Sequence, residues 1–194
     1  TTVGEDMYGE MIRSWCQSCG IITGSFVTLP GKNSSSYVSI HRNDGEMAVA
    51  ISDMHIIQDL TPARLEPMRD KLENAGAIVV DGCLPQETMR YIIRTYGARV
   101  PVFADPVSTA YARRLRPVMR GIDTIKPNRL EAEILSGRTI RCEADYFRAA
   151  EGILAQGVRR VIISAGSRGC YYADNMGQRL WSRTRPLQQV ENAT

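Results

Sequence analysis

The spacing of apolar positions changes period near residue 61. Ahead of it, residues 36–41 alternate with Val38 and Ile40 on one side, and residues 46–51 alternate with Met47, Val49 and Ile51. A period of two belongs to a half-buried strand. Asn43-Asp44-Gly45 lies between the two runs, and these residue types accept the positive φ of a tight hairpin turn. The pair predicts a small sheet, apolar on one face and carrying Ser and Tyr on the other, suited to covering something polar. Residues 8–19 predict a helix. No strand is visible before Gly4-Glu5-Asp6-Met7-Tyr8-Gly9, so its glycines read as a tight turn rather than a phosphate loop.

Beyond residue 61 helical and strand patterns alternate. Thr61-Pro62 sets an N-cap before Pro at the first helical position and opens a helix to about residue 72. The pattern then predicts strand 77–80, helix 85–96, strand 100–104, helix 109–120, strand 122–125, helices 128–136 and 143–156, and strand 160–164. Such βαβ units build a mostly parallel sheet covered on both faces. Right-handed crossovers place every carboxyl end of that sheet along one edge. After Ser164 the pattern turns antiparallel, with strands over 170–173 and 178–182, a turn at Asp174-Asn175-Met176-Gly177, and a further strand over 188–191.

The carboxyl edge collects Asp81-Gly82, Asp105-Pro106, Lys126-Pro127-Asn128 and Ser164-Ala165-Gly166-Ser167-Arg168-Gly169. Ligands of open α/β sheets bind at such an edge. Residues 124–137 are its most informative stretch. Asn128 stands at a helix N-cap with Glu131 at the third helical position, a capping box, and Gly137 stops the helix. A helix start just past a strand is also where phosphates and their metal ions sit. Spacing alone leaves the structural and the chemical reading both open.

Composition narrows the partners. The chain has 194 residues, 43% of them hydrophobic and 23% charged, with a net charge of +3. That describes an ordinary globular protein and argues against nucleic acid and membrane as partners. Arg113, Arg114, Arg116 and Arg120 form the one basic cluster; without interleaved aromatics it reads as a solvated helix face. Five cysteines suit a reducing compartment, and with no signal peptide or long apolar run the expected location is cytoplasmic. Cys16-Gln17-Ser18-Cys19 imitates a redox motif, yet it falls at the end of a helical pattern, where the helix dipole raises a thiol pKa instead of lowering it.

Several stretches together resemble the ribokinase-like (PfkB) sugar kinase family: 3–9, 30–37, 44–54, 101–108, the Lys126-Pro127-Asn128-Arg129-Leu130-Glu131-Ala132-Glu133 opening, and 164–169. Ser52-Asp53-Met54 and Asp105-Pro106-Val107-Ser108 favour its pseudouridine-phosphorylating branch. The resemblance implies a three-layer α/β/α fold with a mostly parallel sheet and a small β lid. It divides the chain into a helix-containing part of the core (1–24), a hairpin lid region (25–56) and an α/β nucleotide-binding core (57–194). It implies ATP-dependent phosphorylation of the 5′-hydroxyl of pseudouridine, with Mg²⁺ and a stimulatory monovalent cation, and a homodimer formed through the lid. The alternatives are a kinase for another ribonucleoside or ribose, or a non-catalytic nucleotide- or sugar-binding relative.

By the same resemblance Lys126, Asn128, Ser164, Gly166, Gly169 and Thr194 bind ATP and its phosphates. Asn128, Glu131 and Asp105 order the metal; Ser36, Tyr37 and Asp81 face the nucleoside. Tyr111 stands where some relatives carry a Lys near the nucleobase, and reads equally as a residue that packs on its own helix. The family's general base and anion hole lie in a Gly-Ala-Gly-Asp segment expected directly after Thr194, and its Gly-Gly sugar-binding motif is expected before Thr1. A general base is worth roughly 10²–10⁴ in rate, so the 194-residue polypeptide by itself is expected to lack useful kinase activity, with no catalytic base of its own.

Overall fold

The computed structural model of the chain describes residues 1–42 and 47–184. They belong to two compact units, one ending at Met68 and the other starting at Arg69. In the first unit, strand β1 (Thr2–Gly4) leads into helix α1 (Met7–Ser18), followed by strand β2 (Val27–Leu29), which pairs with β1 in parallel. Neither short strand is visible from the sequence, since three residues are too few to show a period. The glycines between β1 and α1 serve close packing. A Cβ on Gly4 would meet the Lys32 carbonyl, and one on Gly9 would meet the Gly4 carbonyl. Asp6 caps α1 by accepting from the Gly9 N–H at 2.7 Å, and also accepts from the Ser34 N–H and hydroxyl, each at 2.7 Å. Those hydrogen bonds hold its carboxyl below the usual range.

Strands β3 (Ser36–His41) and β4 (Met47–Asp53) pair antiparallel, with Val38 opposite Ile51 and Ile40 opposite Val49. The register shifts after Ile40, a bulge within the ladder. The turn at Asn43-Asp44-Gly45 lies outside the described residues. The helix expected over 61–72 is broken into α2 (Pro62–Leu65), a 3₁₀ turn at Glu66–Met68 and α3 (Arg69–Glu73). Pro67 has no N–H to donate and its ring crowds the carbonyl four residues earlier. The Thr61 side chain makes no cap hydrogen bond, so Pro62 alone marks that start.

The second unit is built on a sheet of order β10-β9-β8-β7-β6-β5. In chain order its elements are β5 (Ile78–Asp81), α4 (Gln86–Tyr96), β6 (Val102–Asp105), α5 (Thr109–Leu115), β7 (Thr124–Ile125), α6 (Arg129–Ser136), α7 (Glu143–Leu154), β8 (Arg160–Ser164), β9 (Cys170–Asp174) and β10 (Arg179–Ser182). The strands β5 to β8 are parallel, and β9 and β10 antiparallel, as their patterns predict. Helix α5 stops five residues early because Pro117 turns residues Arg116–Val118 into a 3₁₀ turn. The strand expected over 188–191 lies outside the described residues.

Strand order explains how the sheet is covered. Neighbours in space are neighbours in sequence from β5 to β8, so successive right-handed crossovers advance in one direction and set their helices on one face. Ile78, Val80, Val102 and Ala104 are buried. They alternate with Val79, 78% exposed, and Phe103, 36% exposed. Cover on both faces, expected from the apolar strands, is therefore not supplied by the helices of this unit. Tyr96, Tyr146, Met89, Leu115, Met119, Ile122, Ile125 and Leu135 are fully buried in its core.

Candidate functional site

The stretch ending β7 and opening α6 forms the capping box its sequence predicts. The Glu131 N–H donates to Asn128 Oδ1 at 3.0 Å and the Asn128 N–H donates to Glu131 Oε2 at 2.8 Å. Gly137 closes the helix in the left-handed conformation, φ 70°, which an L side chain enters only at a cost. Glu131 is 3% exposed. Burial pushes its carboxyl above the usual value and the nearby charge of Asp105 pushes the same way, against the Asn128 hydrogen bonds and the charge of Lys126. The carboxylate is held in place but remains electrostatically strained.

Its neighbours come from the next strand ends. Asp105 accepts from the Val107 N–H at 2.9 Å and faces the Lys126 ammonium at 3.0 Å. Both members of that ion pair are half exposed, so it is worth no more than about 1 kcal/mol and Lys126 is free to exchange partners. Val107 has φ 67°, a strained choice for a β-branched residue and a recurrent mark of functional turns. Asp81 lies beside Asp105 in the ladder and accepts from the Cys83 N–H at 2.8 Å. Burial and the charge of Asp81 lift the Cys83 thiol to about 11, which makes it a packing group and not a nucleophile. Gly82 is required there, because a Cβ would stand 2.5 Å from the Pro106 carbonyl and 2.8 Å from Tyr111 Cβ. Tyr111 packs on this strand end, with the Arg114 guanidinium 5.5 Å from its ring centre.

On the other side of Asn128 the chain leaves a cavity of about 410 Å³ lined by Asn128, Leu130, Tyr146, Ser164, Gly166 and Arg168, among others. Asn128 bridges to Ser164 across the edge, and the Ser164 N–H donates to the Pro127 carbonyl at 2.9 Å. Gly166 has φ 59° with open space where its Cβ would be. Arg168 donates to the Tyr146 hydroxyl at 3.0 Å and lies 5.4 Å from its ring centre. Trp181 crosses Tyr146 edge-on at 5.1 Å. An apolar wall and two arginines, Arg129 and Arg168, are what a planar base with attached phosphates would meet here.

The expected residues thus divide along the edge. Asp81, Asp105, Lys126 and Glu131 gather at one end; Ser164 and Gly166 gather at the cavity; Asn128 joins the two. Gly169 is placed differently. Its φ of 97° and missing Cβ serve the Ser182 carbonyl on β10, so close strand packing explains it without a nucleotide. Ser36 and Tyr37 belong to the hairpin of the first unit, and as consecutive strand residues they point to opposite faces, so only one of them can look at a given ligand. Thr194 lies outside the described residues. Leu130, Tyr146 and Arg168 gave no functional signal of their own in the sequence; Leu130 and Arg168 stand inside quoted motifs, and Tyr146 is brought to the edge by α7.

Known proteins bear on this arrangement. The profile of the pfkB family carbohydrate kinases matches residues 1–193. Over 182 residues the chain is 37% identical to pseudouridine kinase of Escherichia coli strain K12, covering 94% of this chain and 58% of that protein. The fold is that of Arabidopsis thaliana ribokinase complexed with ribose and ATP (TM-score 0.81, 20% identity, 97% of this chain and 61% of that one). It is equally that of Sinorhizobium meliloti adenosine kinase (TM-score 0.81, 21% identity, 100% and 60%). The chain spans well under two thirds of the length of each of these proteins.

Proposed function

Because the chain belongs to the pfkB family of carbohydrate kinases, we propose that the protein carrying it transfers the γ-phosphoryl group of ATP to the 5′-hydroxyl of pseudouridine. The observation that carries this reading is the buried Glu131 carboxylate, fixed by Asn128 beside Asp105 and Lys126, at the rim of a cavity sized for a nucleotide. The choice of pseudouridine rests on the 37% identity to a pseudouridine kinase.

Phosphoryl transfer asks a protein for positioning and charge neutralisation more than for covalent chemistry. In this reading the base of ATP lies against Tyr146 and Leu130, and the phosphates run past Gly166 and Ser164 toward Asn128. Lys126 leaves Asp105 for a phosphate oxygen, and Arg168 holds another. Asp105, Asn128 and Glu131 offer the oxygen donors that Mg²⁺ prefers. Among the described residues no three His, Cys, Asp or Glu side chains converge to cage a metal. That fits an ion held chiefly by phosphates and water, with carboxylates near it. When bound, Mg²⁺ would neutralise charge on the β- and γ-phosphates, and it would also relieve the repulsion between Asp105 and Glu131. Within this unit Asp81 is the proposed nucleoside contact.

The test is a comparison of kcat/KM for pseudouridine, uridine, inosine and ribose with the protein that carries this chain. Pseudouridine should lead. A preference for ribose or another nucleoside would keep the kinase chemistry and replace the acceptor, and binding of ATP without transfer to any of them would assign the chain to a nucleotide-binding relative.

A further inference from the structure

On the helical side of the second unit, α4 carries Arg90 and Arg94 one turn apart, with the buried Ile93 between them. Facing them, the 3₁₀ turn after α5 supplies Pro117 and the buried Val118, and Arg120 follows. Together these six residues line a cavity of about 300 Å³. Half of them are arginines and none is acidic. The Arg94 and Arg120 side chains make no ion pair or hydrogen bond with any described residue, and Arg90 has only a long 3.5 Å bond to Gln86. Other arginines of the unit do meet carboxylates, among them Arg129 with Glu133 at 2.9 Å, Arg148 with Asp145 at 2.9 Å and Arg160 with Asp123 at 2.7 Å.

Three arginines lining one cavity crowd positive charge that an anion among them would offset. Arg120 is not simply loose on the surface. Its stem lies against Gly157, whose Cβ would stand 2.9 Å from Arg120 Cγ, and the adjoining Gly121 N–H donates to the Gly157 carbonyl at 3.2 Å. The carboxyl end of α4 contributes about half a negative charge, which three cations outweigh. Because α4 runs from the carboxyl end of β5 back toward the start of β6, Arg94 in its last turn and Arg120 before β7 lie toward the amino edge of the sheet. That is the edge opposite Asn128.

We infer that this groove is a second anion site, taking a small molecule that bears two or more phosphate or carboxylate groups on a short carbon skeleton. Arginine forks match both groups in a bidentate manner, and the floor of Ile93, Pro117 and Val118 accepts the carbon part. The volume lies at the small end of ligand pockets, too small for a nucleic acid strand. The site does not depend on the kinase reading, since none of its residues touches the carboxyl edge.

Inorganic pyrophosphate is the probe, titrated calorimetrically into the protein at an ionic strength near 20 mM, where screening is weak. The expected result is a binding phase that Arg94→Gln/Arg120→Gln weakens about tenfold or more, the scale of one lost charged hydrogen bond. Arg94→Lys/Arg120→Lys should retain part of it. Asn128→Ala should leave this phase intact while weakening any pyrophosphate bound at the carboxyl edge. In parallel, the arginine Nε–H resonances of Arg90, Arg94 and Arg120 should shift on titration in the unmutated protein, a readout that needs no variant to fold. Absence of binding up to about 10 mM pyrophosphate, unchanged affinity in the Gln double variant, or unmoved arginine resonances would each overturn the assignment.

Discussion

At the scale of single residues the most informative group is Glu131. Its carboxylate both closes the helix cap and carries a raised pKa. A carboxyl that binds its proton more readily in the folded state makes its largest contribution to stability below its ordinary value of 4.5. That contribution is lost as the pH rises through the interval up to the raised folded value, because over that interval the folded state holds more protons than the unfolded one. Glu131→Gln keeps an acceptor for the Asn128 N–H and removes the buried charge. The variant should therefore melt at the same temperature as the parent or higher at pH 7, and lose the fall in stability between acid and neutral pH. If the carboxylate serves the metal, Mg²⁺-dependent phosphoryl transfer should drop about 10- to 100-fold, the scale for groups that orient a metal site. A lower melting temperature with unchanged transfer would make Glu131 a cap and nothing more. The sequence announced this residue clearly, since Asn-x-x-Glu is a local pattern. Its desolvation was not announced, because burial depends on elements far along the chain.

Among the elements, the turn and hairpin formed by residues 164–182 show how one motif carries two demands. Gly166 opens onto the cavity, while Gly169 is pressed against β10. Gly169→Ala should cost about 1–3 kcal/mol for the forced positive φ alone, and the clash with the Ser182 carbonyl should displace β10. Trp181 reports on it: its edge-on contact with Tyr146 and tilted contact with Tyr171 should loosen, giving a red-shifted fluorescence and a lower melting temperature. Gly166→Ala, also at positive φ (59°), should lower the melting temperature by the backbone cost alone but leave the Trp181 emission nearly unchanged, for its Cβ meets nothing within 4 Å. The glycines look alike in the sequence, and only the path of β10 tells them apart. Two helices are shorter than their apolar period implies, for a local reason. Pro67 and Pro117 each sit inside an apolar period that continues past them, but the missing N–H ends the helix there. Of the basic cluster at 113–120, Arg113, Arg116 and Arg120 are exposed, as a solvated face requires, while Arg114 stacks on Tyr111 and Arg120 also lines a cavity with Arg90 and Arg94.

At the scale of the whole molecule the hairpin β3–β4 stands out. Val38, Ile40, Val49 and Ile51 share one face and are between 48 and 71% exposed. A two-stranded sheet with so little burial is marginal by itself, and a continuous apolar face of this kind marks an interaction surface. A homodimer formed through the hairpin, as the family resemblance implies, would use this face. Val38→Lys/Ile51→Lys should convert a dimer to a monomer by light scattering, with the melting of the second unit unaffected; a monomer already present in the unmutated protein would exclude the idea. Among the described residues no helix is long and apolar enough to cross a membrane.

What the sequence by itself determined is whatever short-range physics controls: the alternation of strand and helix from residue 77 onward, the parallel-to-antiparallel change after Ser164, the capping box, and hence the edge on which the chemistry would lie. Each follows from side-chain period, backbone donors or turn residues within a few positions. Tertiary structure alone decided which face of the sheet the helices cover, that burial, with Asp105 beside it, raises the Glu131 pKa, and that Tyr146 and Arg168 wall the cavity. It also decided that Arg90 and Arg94 meet Arg120 across a groove. Those outcomes depend on distances between residues tens of positions apart, set by strand order and crossover hand, and no local period along the chain encodes them.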